Sequence, residues 1–405
     1  MSLIPVEHAL RRLLDGSRPL ARTEKLPLGV AGGRVLAAPL AARLTQPPFD
    51  NSAMDGYAVR AEDVADLGNR LQVIGESSAG RGFDGTVGAR QAVRIFTGAP
   101  VPAGASAVLL QEDAVKHDDG TIENRFVLAS GRHIRPRGQD FVEGEDVLPA
   151  GSVLDAGNLV VAAAMNHAEV EVHVRPLVAI IATGDELVPV GNLPGPNQII
   201  ASSLFGIAHL AREAGADVLD LGIAVDDRNA IRSMVDRARE AGADIIVTLG
   251  GASVGDYDLV QSSLVESGMV LDFWRIAMRP GKPLMVGSLG DARVLGLPGN
   301  PVSSMVCGLL FLEPLIAHLA RRPTPHRLAT AVTAAELPAN DHRQDYLRAT
   351  LSRREDGELE VRSYGKQDSS QMKIFARSDC LIVRPPNGAA VAAGDRCPVL
   401  MLRNP

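Results

Sequence analysis

Apolar positions change their spacing several times along this chain, and each change marks a different kind of structure. In residues 5–15, Val6, Leu10, Leu13 and Leu14 recur at helical intervals among charged residues, which predicts a short amphipathic helix. Residues 26–45 mix short apolar runs with Pro and Gly. From 46 to 142 the runs shorten to strand length, at Tyr57–Val59, Leu71–Ile74, Ala92–Ile95, Ala107–Leu110 and Arg125–Val127, with Gly-rich turns between them, so this stretch reads as an all-β module. Residues 143–174 are mixed again, with an Ala-rich helix near Ala156–Met165. That return of texture predicts a discontinuous N-terminal linking domain, 1–45 with 143–174, carrying residues 46–142 as an inserted β-rich domain.

Residues 175–323 follow another grammar. Apolar strands (Leu177–Ala182, Val218–Leu221, Asp244–Leu249, Val270–Ile276, Ala292–Leu297) alternate with helices at Ser203–Ala214, Asn229–Ala241, Tyr257–Glu266 and Val302–Ala320. Continuous apolar strands between amphipathic helices indicate a mainly parallel sheet covered on both faces. Residues 324–405 revert to short strands, at Arg327–Val332, Tyr346–Leu351, Glu358–Val361, Cys380–Val383 and Pro398–Leu402, and predict a terminal β domain. The fold class is α/β plus β and multidomain, with a central mainly parallel α/β domain, an inserted β module and a C-terminal β domain. A length of 405 residues agrees with two to four domains of about 100–150 residues each.

Composition narrows the function. A net charge of −7 argues against nucleic acid as the main partner, which needs concentrated Lys and Arg, but allows a small anionic ligand in a local basic pocket. Cys307, Cys380 and Cys397 lack C-x-x-C spacing and read as reduced thiols of a cytoplasmic protein. The N-terminus shows no secretory pattern, and runs such as Leu177–Ala182 are too short to span a bilayer, so no membrane partner is expected. None of the nine histidines falls in a zinc or triad spacing.

In an open parallel sheet, ligands bind beyond the carboxyl ends of the strands. The loops there are Thr183-Gly184-Asp185-Glu186, Asp226-Asp227, Gly250 to Asp258 (G-G-A-S-V-G-D-Y-D), Arg279 to Pro283 (R-P-G-K-P) and Leu297 to Ser304 (L-P-G-N-P-V-S-S). Gly250, Gly251 and Gly255 let backbone amides approach a ligand. Asn300 as N-cap and Pro301 as first helical residue present an amide cluster suited to anions, and Arg279 and Lys282 add positive charge. Asp185, Glu186, Asp227, Asp256 and Asp258 suit a hard divalent cation such as Mg²⁺. Asp226 or Asp227 reads equally well as a helix cap. The turn around Asp50 and Asp55 and the basic run Arg132 to Asp140 read, taken alone, as solvated loops; in the functional reading Arg135 and Arg137 meet an anionic substrate.

Together, P-P-F-D-N-S-A-M-D-G-Y-A-V, F-T-G-A-P-V-P, R-G-Q-D, T-G-D-E-L, G-G-A-S-V-G-D-Y-D, R-P-G-K-P and G-L-P-G-N-P-V-S resemble the molybdopterin molybdenumtransferase family, the MoeA type of bacteria and the E domain of gephyrin. The resemblance covers essentially the whole chain. It implies that the α/β domain binds molybdopterin in its adenylylated form. With Mg²⁺ the adenylyl bond is cleaved, and molybdate is inserted into the dithiolene, giving molybdenum cofactor and AMP. It also implies a homodimer whose cleft joins the α/β domain of one subunit to the β module of the other, and contact with the adenylyltransferase of the same pathway. Carried over by motif, Asp55, Thr97, Asp140, Glu186, Asp227 and Asp258 match positions important for substrate or metal, with Glu186, Asp227 and Asp258 as the metal set. Gly250, Gly251, Ser253, Pro283 and Asn300 match the substrate-binding loops. Arg279, Lys282, Ser303, Arg348 and Ser369 match the oxyanion pocket for molybdate. Asp368 stands where many relatives carry Gly, which leaves Ser369 and Ser370 as alternatives. Two other readings are an adenylyltransferase of the pathway, which needs only the α/β domain, and a gephyrin-like scaffold, for which the chain has no long linker.

Overall fold

The structure is a computed structural model that describes residues 3–250 and 259–403. The chain divides into two compact units, Lys25–Val172 and Met1–Glu24 with His173–Pro405.

In Lys25–Val172 a six-stranded sheet runs Ala107–Leu110, Gly56–Val59, Gln91–Ile95, Arg70–Ser77, Thr121–Asn124, Ala114–Lys116. Only the pair Arg70–Ser77 and Gln91–Ile95 is parallel. Both faces are covered because the apolar residues alternate between two cores. Tyr57, Val59, Ala92, Ala107 and Leu109 enter one, and Ala58, Val93, Ile95 and Val108 the other. A third core joins Leu36, Leu40 and Ala42 to Phe141, Leu148, Ala162, Met165 and Val172, so segments from either side of the β module pack together.

The strand expected at Arg125–Val127 is absent, and Thr121–Asn124 takes its place. Asn124 ends it. Its buried amide donates to the carbonyls of Asp66 and Phe126 and accepts from Asn69 N–H, while Phe126 and Val127 are left exposed.

In the second unit a six-stranded sheet has the order Asp217–Ala224, Leu177–Thr183, Ile245–Leu249, Ala292–Leu297, Met285–Leu289, Val270–Trp274. The first four are parallel, and Met285–Leu289 is antiparallel to both neighbours. Val178, Ile180 and Val247 point into one core, Ala179, Ile181 and Ile246 into the other, which is why these strands are apolar throughout. The helix Val6–Asp15 contributes Val6, Ala9 and Leu13 to the first of these cores, so it packs with the α/β sheet and not with residues 143–174 as grouped from sequence. The helical run Pro301–Leu319 contains one wide turn at Gly308–Leu312. It is 19 residues long and apolar enough to cross a membrane, which the shorter runs weighed from sequence were not, but 83% of its apolar stretch is buried within the protein.

The last strands form a six-stranded sheet in the order Met278–Arg279, Gln344–Arg353, Leu359–Ser363, Leu328–Thr333, Arg396–Met401, Cys380–Arg384. Cys380–Arg384 also pairs with Gln344–Arg353, which closes five of these strands into a barrel around Ala331, Ala349, Val361, Ile382 and Val399. Met278–Arg279 comes from the α/β segment yet pairs in parallel with Gln344–Asp345.

Candidate functional site

A cavity of about 1070 Å³ opens at the carboxyl ends of the parallel strands. Its floor is the strand end Thr183-Gly184 beside Leu249-Gly250. Gly250 has φ +103°, and a Cβ there would lie 2.7 Å from the Thr183 carbonyl oxygen, so two strand ends approach more closely than any other residue permits.

One wall suits anions. Pro301 starts its helix directly after Asn300, and Ser303 is buried in the first turn. Asn300 was expected to cap this helix, but its side chain makes no capping bond. Instead Nδ2 donates to Ser369 Oγ at 3.0 Å, joining the helix start to the C-terminal domain. Ser370 is turned to Asp368, which accepts its N–H and its hydroxyl, and of the two serines only Ser369 lines the cavity.

Facing this wall is the Arg279–Pro283 loop. Gly281 has φ +107°, and a Cβ there would meet Cys307 Sγ at 2.6 Å and Met278 Cε at 2.9 Å. The loop therefore lies flat on buried core. Lys282 projects from it, exposed and, among the described residues, without an ion-pair partner. Arg279 is bonded to Asp341 and Asp345, and the hydrogen bond it donates to Asp345 is the main cause that holds its charge more firmly than usual.

Another stretch of wall is acidic, with Glu186 and Asp226. The carboxylate of Glu186 folds back over Gly184, whose added Cβ would meet it at 2.3 Å. Asp227, expected as a metal ligand, is the N-cap of the helix Arg228–Glu240. Its Oδ1 accepts from Asn229 N–H and Ala230 N–H, each at 2.9 Å. Its neighbour Asp226 lines the cavity instead. Gly251, Ser253, Asp256 and Asp258 lie outside the described residues, and among those described no three His, Cys, Asp or Glu side chains are grouped for a metal.

Arg348, expected in the oxyanion pocket, is buried behind it. Its NH1 donates to the Asp368 carbonyl at 2.6 Å and its Nε to Gln367 Oε1 at 3.1 Å. Burial is the main cause that lowers its pKa. Arg348 thus holds the loop that presents Gln367, Asp368 and Ser369 to the cavity. Glu186, Gly250, Arg279, Lys282, Pro283, Asn300, Ser303 and Ser369 do meet at this cavity. Arg343 and Gln367 join them with no sequence signal, and so does Asp226, which the sequence marks only as one of the Asp226-Asp227 pair. Asp226 had an equal claim to Asp227 in its dipeptide, whereas nothing in D-H-R-Q-D marked Arg343.

Asp55, Thr97 and Asp140 belong to the other unit. Asp55 Oδ1 accepts both Thr97 N–H and Thr97 Oγ1–H at 2.8 Å. The Thr97 amide first, then its hydroxyl, hold the carboxyl below the usual carboxylate range, and Arg94 adds to this. The basic run folds against the same turn. Ile134–Arg135 pairs with Asn51–Ser52, Asp50 accepts from Arg137 N–H at 2.7 Å, and Asp140 N–H donates to the Gln46 carbonyl at 3.0 Å. Arg137 Nε is bound to the Pro48 carbonyl, which gives that arginine a local structural role.

Comparison with known proteins gives one consistent result. Residues 4–166 match the MoeA N-terminal region (domain I and II), 179–318 a probable molybdopterin binding domain, and 330–402 the MoeA C-terminal region (domain IV). The chain is 36% identical to a molybdopterin molybdenumtransferase of Haemophilus influenzae, with 97% of each chain covered. It is 32% identical to one of Bacillus subtilis, covering 99% of this chain and 94% of that one. A solved molybdopterin biosynthesis MoeA protein from Pyrococcus horikoshii superimposes with a TM-score of 0.85 at 27% identity, over 99% of this chain and 100% of the other.

Proposed function

The chain belongs to the molybdopterin molybdenumtransferase family and is an enzyme of molybdenum cofactor biosynthesis that inserts molybdenum; from that premise we propose that it takes adenylylated molybdopterin and molybdate and releases AMP with the finished cofactor. The observation that carries this reading is the pairing, in one cavity, of a cationic wall with hydroxyls and a helix start and an acidic wall. A tetrahedral dianion and a phosphate-bridged pterin need these two environments side by side.

Lys282, without an ion-pair partner among the described residues, supplies a positive charge, and Ser303 and Ser369 supply hydroxyls for the molybdate oxygens. The dithiolene sulfurs replace molybdate oxygen, which leaves as water carrying the thiol protons, and a second water adds across the phosphoanhydride bond to free AMP and leave the other phosphate on the pterin. Mg²⁺ commonly takes one or two carboxylates together with phosphate oxygens and water. Glu186 and Asp226 share the cavity wall and meet that need, while Asp227 keeps Oδ2 clear of the helix amides. Bound there, Mg²⁺ would neutralise charge on the adenylyl phosphates.

The resemblance supports a homodimer, and contact with the pathway's adenylyltransferase would pass an unstable pterin directly. The three unpaired, buried thiols fit a cytoplasmic setting. The deciding experiment supplies purified protein with adenylylated molybdopterin, molybdate and Mg²⁺ and measures AMP and cofactor. Absence of both products overturns the reading. Mixing inactive Asp55→Ala subunits with inactive Glu186→Ala subunits tests the dimer. Recovery of activity supports a shared site, and none in well-mixed heterodimers excludes it.

A further inference from the structure

We propose that Arg94 is a positioning residue that fixes Asp55 for the reaction by clamping the Asp55–Gly56 peptide at the end of the β-module sheet. The proposal deepens, and rests on, the reading that Asp55 serves the release of AMP and the making of the cofactor. Arg94 stands directly opposite Tyr57 where Gly56–Val59 pairs with Gln91–Ile95. Its guanidinium lies over two rings, 4.6 Å from the Phe96 centroid and 5.3 Å from that of Tyr57. NH1 donates to the Gly56 carbonyl and NH2 to Gln111 Oε1, each at 2.8 Å. Gln111 N–H in turn donates to the Asp55 carbonyl at 3.2 Å. Gln111 Nε2 donates to Glu112 Oε1 at 3.2 Å, which leaves Oε1 of the same amide for Arg94.

Arg94 thus closes a chain of hydrogen bonds around one peptide. The Asp55 carbonyl is held by Gln111, the Gly56 carbonyl by Arg94, and Asp55 Oδ1 by Thr97. Gly56 is wedged as well, since a Cβ there would fall 1.9 Å from the Leu109 carbonyl oxygen. The turn therefore cannot adjust on that side if the clamp is lost. Arginine suits the position because one planar fork serves two acceptors while its face stacks on aromatic rings, which an ammonium cannot do. Both acceptors are neutral, and Arg94 makes no ion pair among the described residues. Its charge reaches Asp55 instead, adding to the Thr97 amide and hydroxyl in keeping that carboxyl ionised. Arg94 therefore acts on Asp55 in two separable ways, by shape through the fork and by field through the charge. Misplacing a reacting group by about 1 Å can cost about 100-fold in rate, so the fork carries the larger effect.

The test measures AMP release and half-saturation by molybdate in the full-length protein, and follows the Asp55 carboxyl by carbon NMR across pH. Arg94→Gln should slow AMP release by about 10–100-fold and leave molybdate half-saturation within about 2-fold of wild type. In the same variant the Asp55 carboxyl should titrate at higher pH, because a nearby positive charge is gone. Arg94→Lys keeps the charge and loses the fork, so the titration should stay near wild type while AMP release remains slowed by about 10-fold. Thermal unfolding of each variant identifies any loss caused by misfolding. An unchanged rate in folded Arg94→Gln, a wild-type rate in Arg94→Lys, or a rise in molybdate half-saturation as large as the loss of rate overturns the proposal. A wild type that releases no AMP, with the Asp55 titration moving as described, overturns the reaction reading and supports the hold of Arg94 on Asp55. A wild type that releases AMP with Arg94→Gln unaffected overturns the role of Arg94 alone.

Discussion

Arg348 and Gln367 hold each other in both directions: Arg348 N–H and Nε–H donate to Gln367 Oε1, and Gln367 Nε2 donates back to the Arg348 carbonyl at 3.1 Å. A side chain that is 1% exposed thereby fixes the conformation of the loop bearing Ser369. Arg348→Met should cost about 2–3 kcal/mol, since it strands the Gln367 and Asp368 oxygens as well as losing charged bonds. Urea unfolding measures the cost. Molybdate use should fall with it, because Ser369 loses its support. A variant of unchanged stability would show that the arginine acts on substrate alone.

Asp227 separates capping from chemistry. Asn is as good an N-cap as Asp, so Asp227→Asn should unfold at nearly the wild-type denaturant concentration, whereas Asp227→Ala should lose about 1 kcal/mol. If the free carboxylate oxygen also serves the reaction, both variants lose turnover alike. AMP release by the Asn variant at the wild-type rate would leave Asp227 a cap only.

Thr97→Val removes one of the two bonds that depress the Asp55 pKa. The carboxyl should then titrate at higher pH, nearer the ordinary range, as read by carboxyl carbon NMR. The sign for stability follows. In the folded wild type Asp55 takes up its proton at lower pH than in the unfolded chain, so its contribution is present above the unfolded pKa and is lost as pH falls through the folded one. The Val variant should show less of this acid sensitivity.

Gly281→Ala should be destabilising for two separable reasons, the positive φ and the clash with Cys307 Sγ and Met278. The clash costs about 1–3 kcal/mol. Adding Cys307→Ala should relieve only the contact with sulfur, so the double variant should unfold later than Gly281→Ala allows by simple addition, yet earlier than Cys307→Ala alone. Strict additivity in denaturation would mean that the sulfur contact carries no part of the effect.

Much of the architecture was legible because burial on both faces writes itself into sequence. Leu177–Thr183 and Ile245–Leu249 are apolar at consecutive positions, and Asn300-Pro301 marks a helix start unambiguously. Met285–Leu289 escaped because a five-residue strand interrupted by Gly287, following a proline-flanked loop, has no period of its own. The site was legible where backbone constraint left a motif, as at Gly250 and Arg279–Pro283. It was not legible where a residue's role is set from far away. Asn300 bonds to Ser369 across 69 positions, and Arg343 lines the cavity from the bend just before the strand Gln344–Arg353, whose start pairs with Met278–Arg279. Asp227 shows the converse limit, since one carboxylate suits a cap and a cation equally well and its neighbour Asp226 faces the ligand space.

The short pairing of Met278–Arg279 with Gln344–Asp345 bears on how freely this chain can be cut or recombined. Tyr346, Leu381 and Leu400 also belong to the apolar core under the α/β sheet. A truncation after residue 323 would bare those contacts, leave Met278–Arg279 as an open backbone edge and remove Asp341 and Asp345 from Arg279. The α/β and C-terminal segments are thus one inseparable part. Grafting either onto another scaffold would require carrying the other with it, together with the helix Val6–Asp15 that packs into the same core, so a chimaera of two family members should exchange residues 1–24 and 173–403 as one block.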